Sequence, residues 1–151
     1  MKIIVGSDHG GVRLKAAIVA HLGSLGHEVF DYGTHDGASV DYPDVARPVA
    51  QAVAAGEFPR GVLVCGTGQG VAMAANKVAG VRAAVVCDTF SAAMATAHND
   101  ARVLCLGERV VGVGLALRCV DAWLESEFEG GRHSRRVGKI EPGVGAEEEG
   151  S

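Results

Sequence analysis

This chain has no excess of positive charge, no long apolar run and no cysteine pairing of the kind that announces metal or redox chemistry. Its 151 residues carry a formal net charge of −4. That balance excludes broad binding to nucleic acid or to an anionic membrane and leaves room only for a local basic pocket. No segment approaches the roughly 20 apolar residues that a membrane span needs. The opening "MKIIVGSDHG" is too short an apolar run for a signal peptide, so the expected location is the cytoplasm. The four cysteines, Cys65, Cys87, Cys105 and Cys119, form no CxxC pair and have no histidine at zinc-site spacing. A disulfide framework is not expected. Cys87, Cys105 and Cys119 lie in the apolar runs "AVVC", "VLCL" and "LRCV" and are expected in the core. No repeat and no linker is visible.

What is present is an alternation of two periods. "KIIVG", "HEVFDYG", "GVLVC", "VRAAVVC" and "RVLCLG" are short apolar runs of strand type. Between them lie segments of helical spacing. In the first, Leu14, Ile18, Leu22 and Leu25 recur on one face and Gly26 is a stop. In the second, Asp44 is the expected N-cap, with Pro48 near the first turn. In the last, Leu117, Val120, Leu124 and Phe128 share a face. Five strands alternating with helices predict an α/β fold of three layers: a parallel sheet covered by helices on both faces. The expected strand order is 2-1-3-4-5. The domain is expected over residues 1–139, and the acidic, Gly-rich segment 140–151 is expected to be disordered.

In such a sheet, ligands bind beyond the carboxyl ends of the strands where strand order reverses. Here that point lies between the first and third strands, which end in "GSDHGG" and "CGTGQG". The second turn is not a dinucleotide fingerprint, because Val71 stands where the third glycine would be, and it is not a Walker loop. It places Cys65 and Thr67 at the mouth of a helix, where free N–H groups suit an anion or a developing oxyanion. A thiol there can serve as base or nucleophile, or be one more core cysteine. Asp8 and His9 can hold hydroxyls and share a proton, or form a capped turn. His98 and Asn99 end a helix. Arg132 and Arg136, four residues apart in "EGGRHSRR", can clamp a phosphate or form a solvated face. A base, an oxyanion turn, a histidine and a phosphate clamp together suit proton abstraction beside the carbonyl of a sugar phosphate.

The motifs "GSDHGG", "DYPD", "CGTGQG", "AANKVAGVRAAV", "AHNDARVLCLGERVVG" and "DAWLESEFEGGRHSRRV" resemble the B-type ribose-5-phosphate isomerases, whose wider family includes galactose-6-phosphate and allose-6-phosphate isomerases. The resemblance runs from the first strand to about Lys139. It implies a Rossmann-like fold, no metal and no cofactor. It further implies a homodimer or dimer of dimers with shared active sites, and interconversion of ribose 5-phosphate and ribulose 5-phosphate. It gives Cys65 the role of base, and Thr67 with Gly66, Gly68 and Gly70 the steadying of the enediolate. His98 would assist ring opening, with Asn99 and Asp8 on sugar hydroxyls. His9, Arg132 and Arg136 would hold the phosphate, with Arg109 from the partner subunit and Tyr42 near the substrate. Some members use serine with a nearby glutamate instead; residues 66–80 contain no glutamate. A bulky residue at Gly68 is expected to abolish turnover in a protein that stays folded. Competing readings are a six-carbon substrate and a non-catalytic phosphosugar-binding module.

Overall fold

Five strands and six helices alternate through residues 1–141, the part of the chain that the computed structural model describes. The strands are β1 (Lys2–Ser7), β2 (Glu28–Gly33), β3 (Arg60–Cys65), β4 (Ala83–Val85) and β5 (Val103–Gly107). The helices are α1 (Val12–Ser24), α2 (Tyr42–Ala54), α3 (Gln69–Ala75), α4 (Thr89–Ala97), α5 (Val113–Glu125) and α6 (Arg132–Gly138). Every strand pair is parallel. The class is therefore the expected three-layer α/β, Rossmann-like arrangement.

The expected order 2-1-3-4-5 is corrected in its last pair, because the strands run β2-β1-β3-β5-β4. Burial explains the exchange. β5, "VLCLG", is buried at all five positions and takes the centre beside β3, whereas β4 is three residues of partly exposed backbone suited to an edge. Asn76 closes that edge, donating to Ala83 O at 2.9 Å and accepting from Ala83 N at 2.8 Å. The reversal between β1 and β3 is unaffected.

Alternation along the strands sorts two cores. Ile3, Val5, Val62, Val64, Leu104 and Leu106 face α1, α4 and α5, where Trp123 is fully buried. Ile4, Leu63, Cys65, Val103 and Cys105 face α2 and α3. Leu14, Ile18 and Leu22 are buried as expected, but Leu25 is exposed, since α1 has already ended at Ser24. α2 starts earlier than expected, with Asp41 at its N-cap position, so Asp44 lies in the first turn and Pro48 inside the helix. The buried face of α5 is Ala116, Cys119, Val120 and Trp123, and Phe128 lies beyond the helix end. Cys105 and Cys119 are core residues; Cys87 is exposed, because β4 stops at Val85 and the chain has turned toward α4. Residues 142–151 of the expected disordered tail lie outside the described residues, while Glu141 accepts from Gly80 N at 3.1 Å. No helix among the described residues is long and apolar enough to cross a membrane.

Candidate active site

The β1 and β3 turns meet as the order reversal requires. Asp8 N–H donates to Val64 O at 3.3 Å, and the Asp8 carboxylate accepts from Gly10 N–H at 2.8 Å. A 3₁₀ turn over His9–Gly11 follows, and its Gly10 backs directly onto the Gly66 backbone. The segment after β5 joins them: Glu108 N–H donates to Cys65 O at 2.9 Å and Arg109 N–H to Gly66 O at 3.0 Å. Three strand ends are thus knitted by main-chain bonds around one thiol.

Cys65 is 5% exposed, and its sulfur accepts the Gly68 N–H at 3.1 Å. That bond depends on Gly68 being in the left-handed region, at φ 79°. A Cβ there would also come within 3.1 Å of the Leu106 backbone. Two expectations change. The Gly68 amide is spent on the sulfur rather than aimed at a substrate oxygen. A bulky residue at Gly68 strains the fold itself, so Gly68→Val is no test of an oxyanion role. The Thr67 hydroxyl is exposed and accepts from Gln69 N–H at 3.3 Å. Cys105, one layer below, is a different thiol: burial, with a lesser push from Cys65, raises it far above the ordinary thiol range.

Around this turn stand three of the expected partners. The ring of Tyr42 lies against Gly70, where a Cβ would meet it at 2.9 Å. The guanidinium of Arg109, expected from a partner subunit, here lies against Gly66 of its own chain. His9 accepts the Val40 N–H on Nδ1 at 3.2 Å. In the neutral ring this bond leaves the proton on Nε2, which is then a donor for an anion.

The remaining expected residues gather elsewhere. Arg60, at the amino end of β3, donates to Thr96 Oγ1 at 3.4 Å and Ala101 O at 3.2 Å, on either side of His98 and Asn99. Cys65 closes the same strand at its carboxyl end. Five residue steps of strand correspond to about 16 Å. His98 and Asn99 therefore stand at the opposite end of the sheet from the thiol. Their backbone is fixed there: Arg82 donates to Asn99 O at 2.8 Å and to Asp100 O at 3.1 Å, and Glu129 N–H donates to Ala97 O at 3.0 Å. α6 brings Arg132 and Arg136, both exposed, to this second cluster, because its His133 ring stacks on His98. The structure thus assembles Asp8, His9, Tyr42, Cys65, Thr67 and Arg109 in one group. His98, Asn99, Arg132 and Arg136 form another.

Sequence reasoning missed two members of the second group. His133 stacks on His98 with ring centroids 4.3 Å apart and planes at 10°. Glu129 Oε2 lies 3.4 Å from His133 Nε2 and 3.8 Å from His98 Nε2. The Glu129–His133 spacing of one helical turn in "EGGRHSRR" was the available signal. The three ligand atoms lie within 4.8 Å of one another, close enough to suggest a metal. The ring planes argue otherwise: lone pairs of two stacked, nearly parallel imidazoles do not converge on one ion.

A family model described as Ribose/Galactose Isomerase matches residues 3–140. Ribose-5-phosphate isomerase B of Escherichia coli is 52% identical over 139 residues, covering 92% of this chain and 93% of that protein. D-erythrulose-4-phosphate isomerase of Pectobacterium atrosepticum is 44% identical over 141 residues, covering 93% of both. A solved structure of Clostridium thermocellum ribose-5-phosphate isomerase B superposes with a TM-score of 0.92 at 58% identity, covering 93% of this chain and 95% of that one.

Proposed function

The chain belongs to the ribose/galactose isomerase family, and from that premise we propose that it interconverts D-ribose 5-phosphate and D-ribulose 5-phosphate in a site shared between two copies. The observation that carries the shared site is the separation of the thiol group of residues from the imidazole group. One chain holds each at an opposite end of its sheet, and a two-fold pair can set one chain's thiol turn against the other's helix-end cluster.

The chemistry runs in two stages. His98 takes the proton of the anomeric hydroxyl and returns one to the ring oxygen, so that the C1–O4 bond breaks and the C1 carbonyl forms. Cys65, as thiolate, then removes the C2 proton, leaving a cis-enediolate. The thiol then gives a proton to C1, the O2 proton passes to O1 and the carbonyl moves to C2, with no net gain or loss. C2 is only weakly acidic, so charge on the enediolate oxygens must be stabilised as it develops. With the Gly68 amide on sulfur, the Thr67 hydroxyl and the amides of Gly66 and Gly70 are the donors left in the turn. His9 Nε2–H, Arg109, Arg132 and Arg136 bind the phosphate far from the reacting carbons, which supplies orientation. Asp8 and Asn99 hold sugar hydroxyls, and Tyr42 walls the crevice. None of these steps calls for a metal or cofactor. The reaction is one of cytoplasmic sugar-phosphate metabolism.

The test is turnover of ribose 5-phosphate by the purified chain, with Cys65→Ala alongside and with allose 6-phosphate and erythrulose 4-phosphate as competitors for the assignment. Turnover of ribose 5-phosphate, lost in Cys65→Ala, supports the reading. Turnover of only a four- or six-carbon substrate keeps the chemistry and moves the substrate. A folded protein silent on all three overturns it in favour of a binding module. Thiol alkylation is a useful second readout only in a Cys87→Ser background, since Cys87 is exposed.

A further inference from the structure

The His98 imidazole has a fixed backbone and a free side chain. It caps α4, its N–H is bonded to Met94 O at 2.9 Å, and its ring is 39% exposed. Glu129 Oε2 lies 3.8 Å from its Nε2, beyond hydrogen-bond length. A half-buried imidazole on such a support has several rotamers open to it, and only one of them serves a sugar ring. The ring packed on it restricts that freedom. His133 is 7% exposed, lies almost parallel to His98, and turns its Nε2 toward the same carboxylate oxygen. Its own position is set from below. Gly130 and Gly131, at φ 66° and 57°, reverse the chain directly after Glu129 is bonded to α4. The first turn of α6 then closes with His133 N–H on Gly130 O at 3.1 Å.

We propose that His133 is a positioning residue for ring opening: stacked on His98, it holds the catalytic imidazole in the plane and orientation that meet the sugar, with Glu129 orienting both rings. The proposal rests on the reading that His98 acts on the ring oxygen. His133 itself exchanges no proton with the substrate. Burial first, then the charges of His98, Arg132 and Arg136, keep its imidazole below the ordinary range, with Glu129 opposing them. The stacked partner is therefore neutral at working pH and does not repel His98 when that ring carries a proton.

Ring opening can be separated from proton transfer. Ribulose 5-phosphate has its 5-oxygen blocked by phosphate and closes no furanose, so deuterium exchange at its C1 in D₂O needs Cys65 but not the imidazole. The experiment measures kcat on ribose 5-phosphate and C1 exchange of ribulose 5-phosphate for wild type, His133→Ala, His133→Phe and Cys65→Ala. His133→Ala is expected to lose roughly tenfold in kcat with KM and exchange unchanged. His133→Phe, which keeps a flat ring, is expected to recover most of the loss. Cys65→Ala loses both activities. Equal losses of isomerisation and exchange in His133→Ala, no loss at all, or a Phe variant as poor as Ala would each overturn the proposal. A wild type silent in both assays removes the isomerase reading beneath it, and the proposal with it. An NMR contact between the ring protons of His98 and His133 in wild type tests the stack without substrate; its absence also overturns the proposal.

Discussion

The two ends of the sheet hold their functional groups by different means. At the carboxyl end the thiol is buried, and main-chain bonds from three strand ends surround it. At the amino end the His98 imidazole is half-buried and the arginines are exposed, all on helix ends, with the imidazole steadied by a ring stack and a carboxylate. The first region is part of the fold, and the second is carried on it. Substitutions at the thiol turn should therefore mix damage to stability with damage to chemistry. Substitutions in the imidazole cluster should leave the fold alone.

The largest effects test whether the two regions belong to one site. Cys65→Ala and His98→Asn should each lower turnover of ribose 5-phosphate by about 10²–10⁴-fold while leaving the circular dichroism spectrum unchanged. Unfolding and refolding the two inactive variants together should then restore roughly a quarter of wild-type activity. Half of the randomly formed pairs are hybrids, and each hybrid holds one intact site. Restoration fails if each chain builds its own complete site, and that result would end the comparison in its present form.

Next in size is the proposed phosphate clamp. Arg136→Ala removes an exposed cation from the imidazole cluster, and loss of one charge-assisted hydrogen bond costs about 2 kcal/mol, or about thirtyfold in KM. The urea midpoint should not move. An unchanged KM removes Arg136 from the phosphate site, whereas a lowered midpoint would show that this end is part of the fold after all.

The difference between the regions also explains what the sequence made legible. Cys65 followed by "GTGQG" at the end of an apolar run could be read directly, because one local pattern specifies strand, turn and side-chain position. So could Asp8 and His9. The exchange of β4 and β5 was out of reach, because neighbours in sequence are the default neighbours in a sheet; only the burial of all of "VLCLG" argues against it. His133 was passed over for a different reason. Its role depends on a stack with a residue 35 positions away (133 − 98), and no local pattern records where a two-glycine turn will point a short helix. Gly68 was read for its missing side chain, while its left-handed φ and its bond to sulfur needed coordinates.

Gly68 gives a smaller, mixed effect. Gly68→Ala places a Cβ in the left-handed region and within 3.1 Å of the Leu106 carbonyl carbon. The conformational cost alone is about 1–2 kcal/mol. The urea midpoint should fall and kcat should fall with it, since the amide bonded to sulfur is displaced. The pairing of the two losses is the point: a variant that loses activity at unchanged stability would show the turn to be carried on the fold rather than part of it.

The smallest effect lies in the imidazole cluster and follows from the sign of one titration. Burial, His98, Arg132 and Arg136 hold His133 below the ordinary histidine range. In the unfolded chain the same group takes a proton near its ordinary value, about 6.5. Between that value and the lowered one, the unfolded state binds more protons than the folded state. Stability is therefore complete above the ordinary value and is lost as pH falls through this window. Urea midpoints measured at pH 7.5, 6.5 and 5.5, at one protein concentration, should decline more steeply in wild type than in His133→Asn. Parallel declines would mean that His133 takes its proton as easily in the fold as outside it, which a buried ring stacked on His98 should not do.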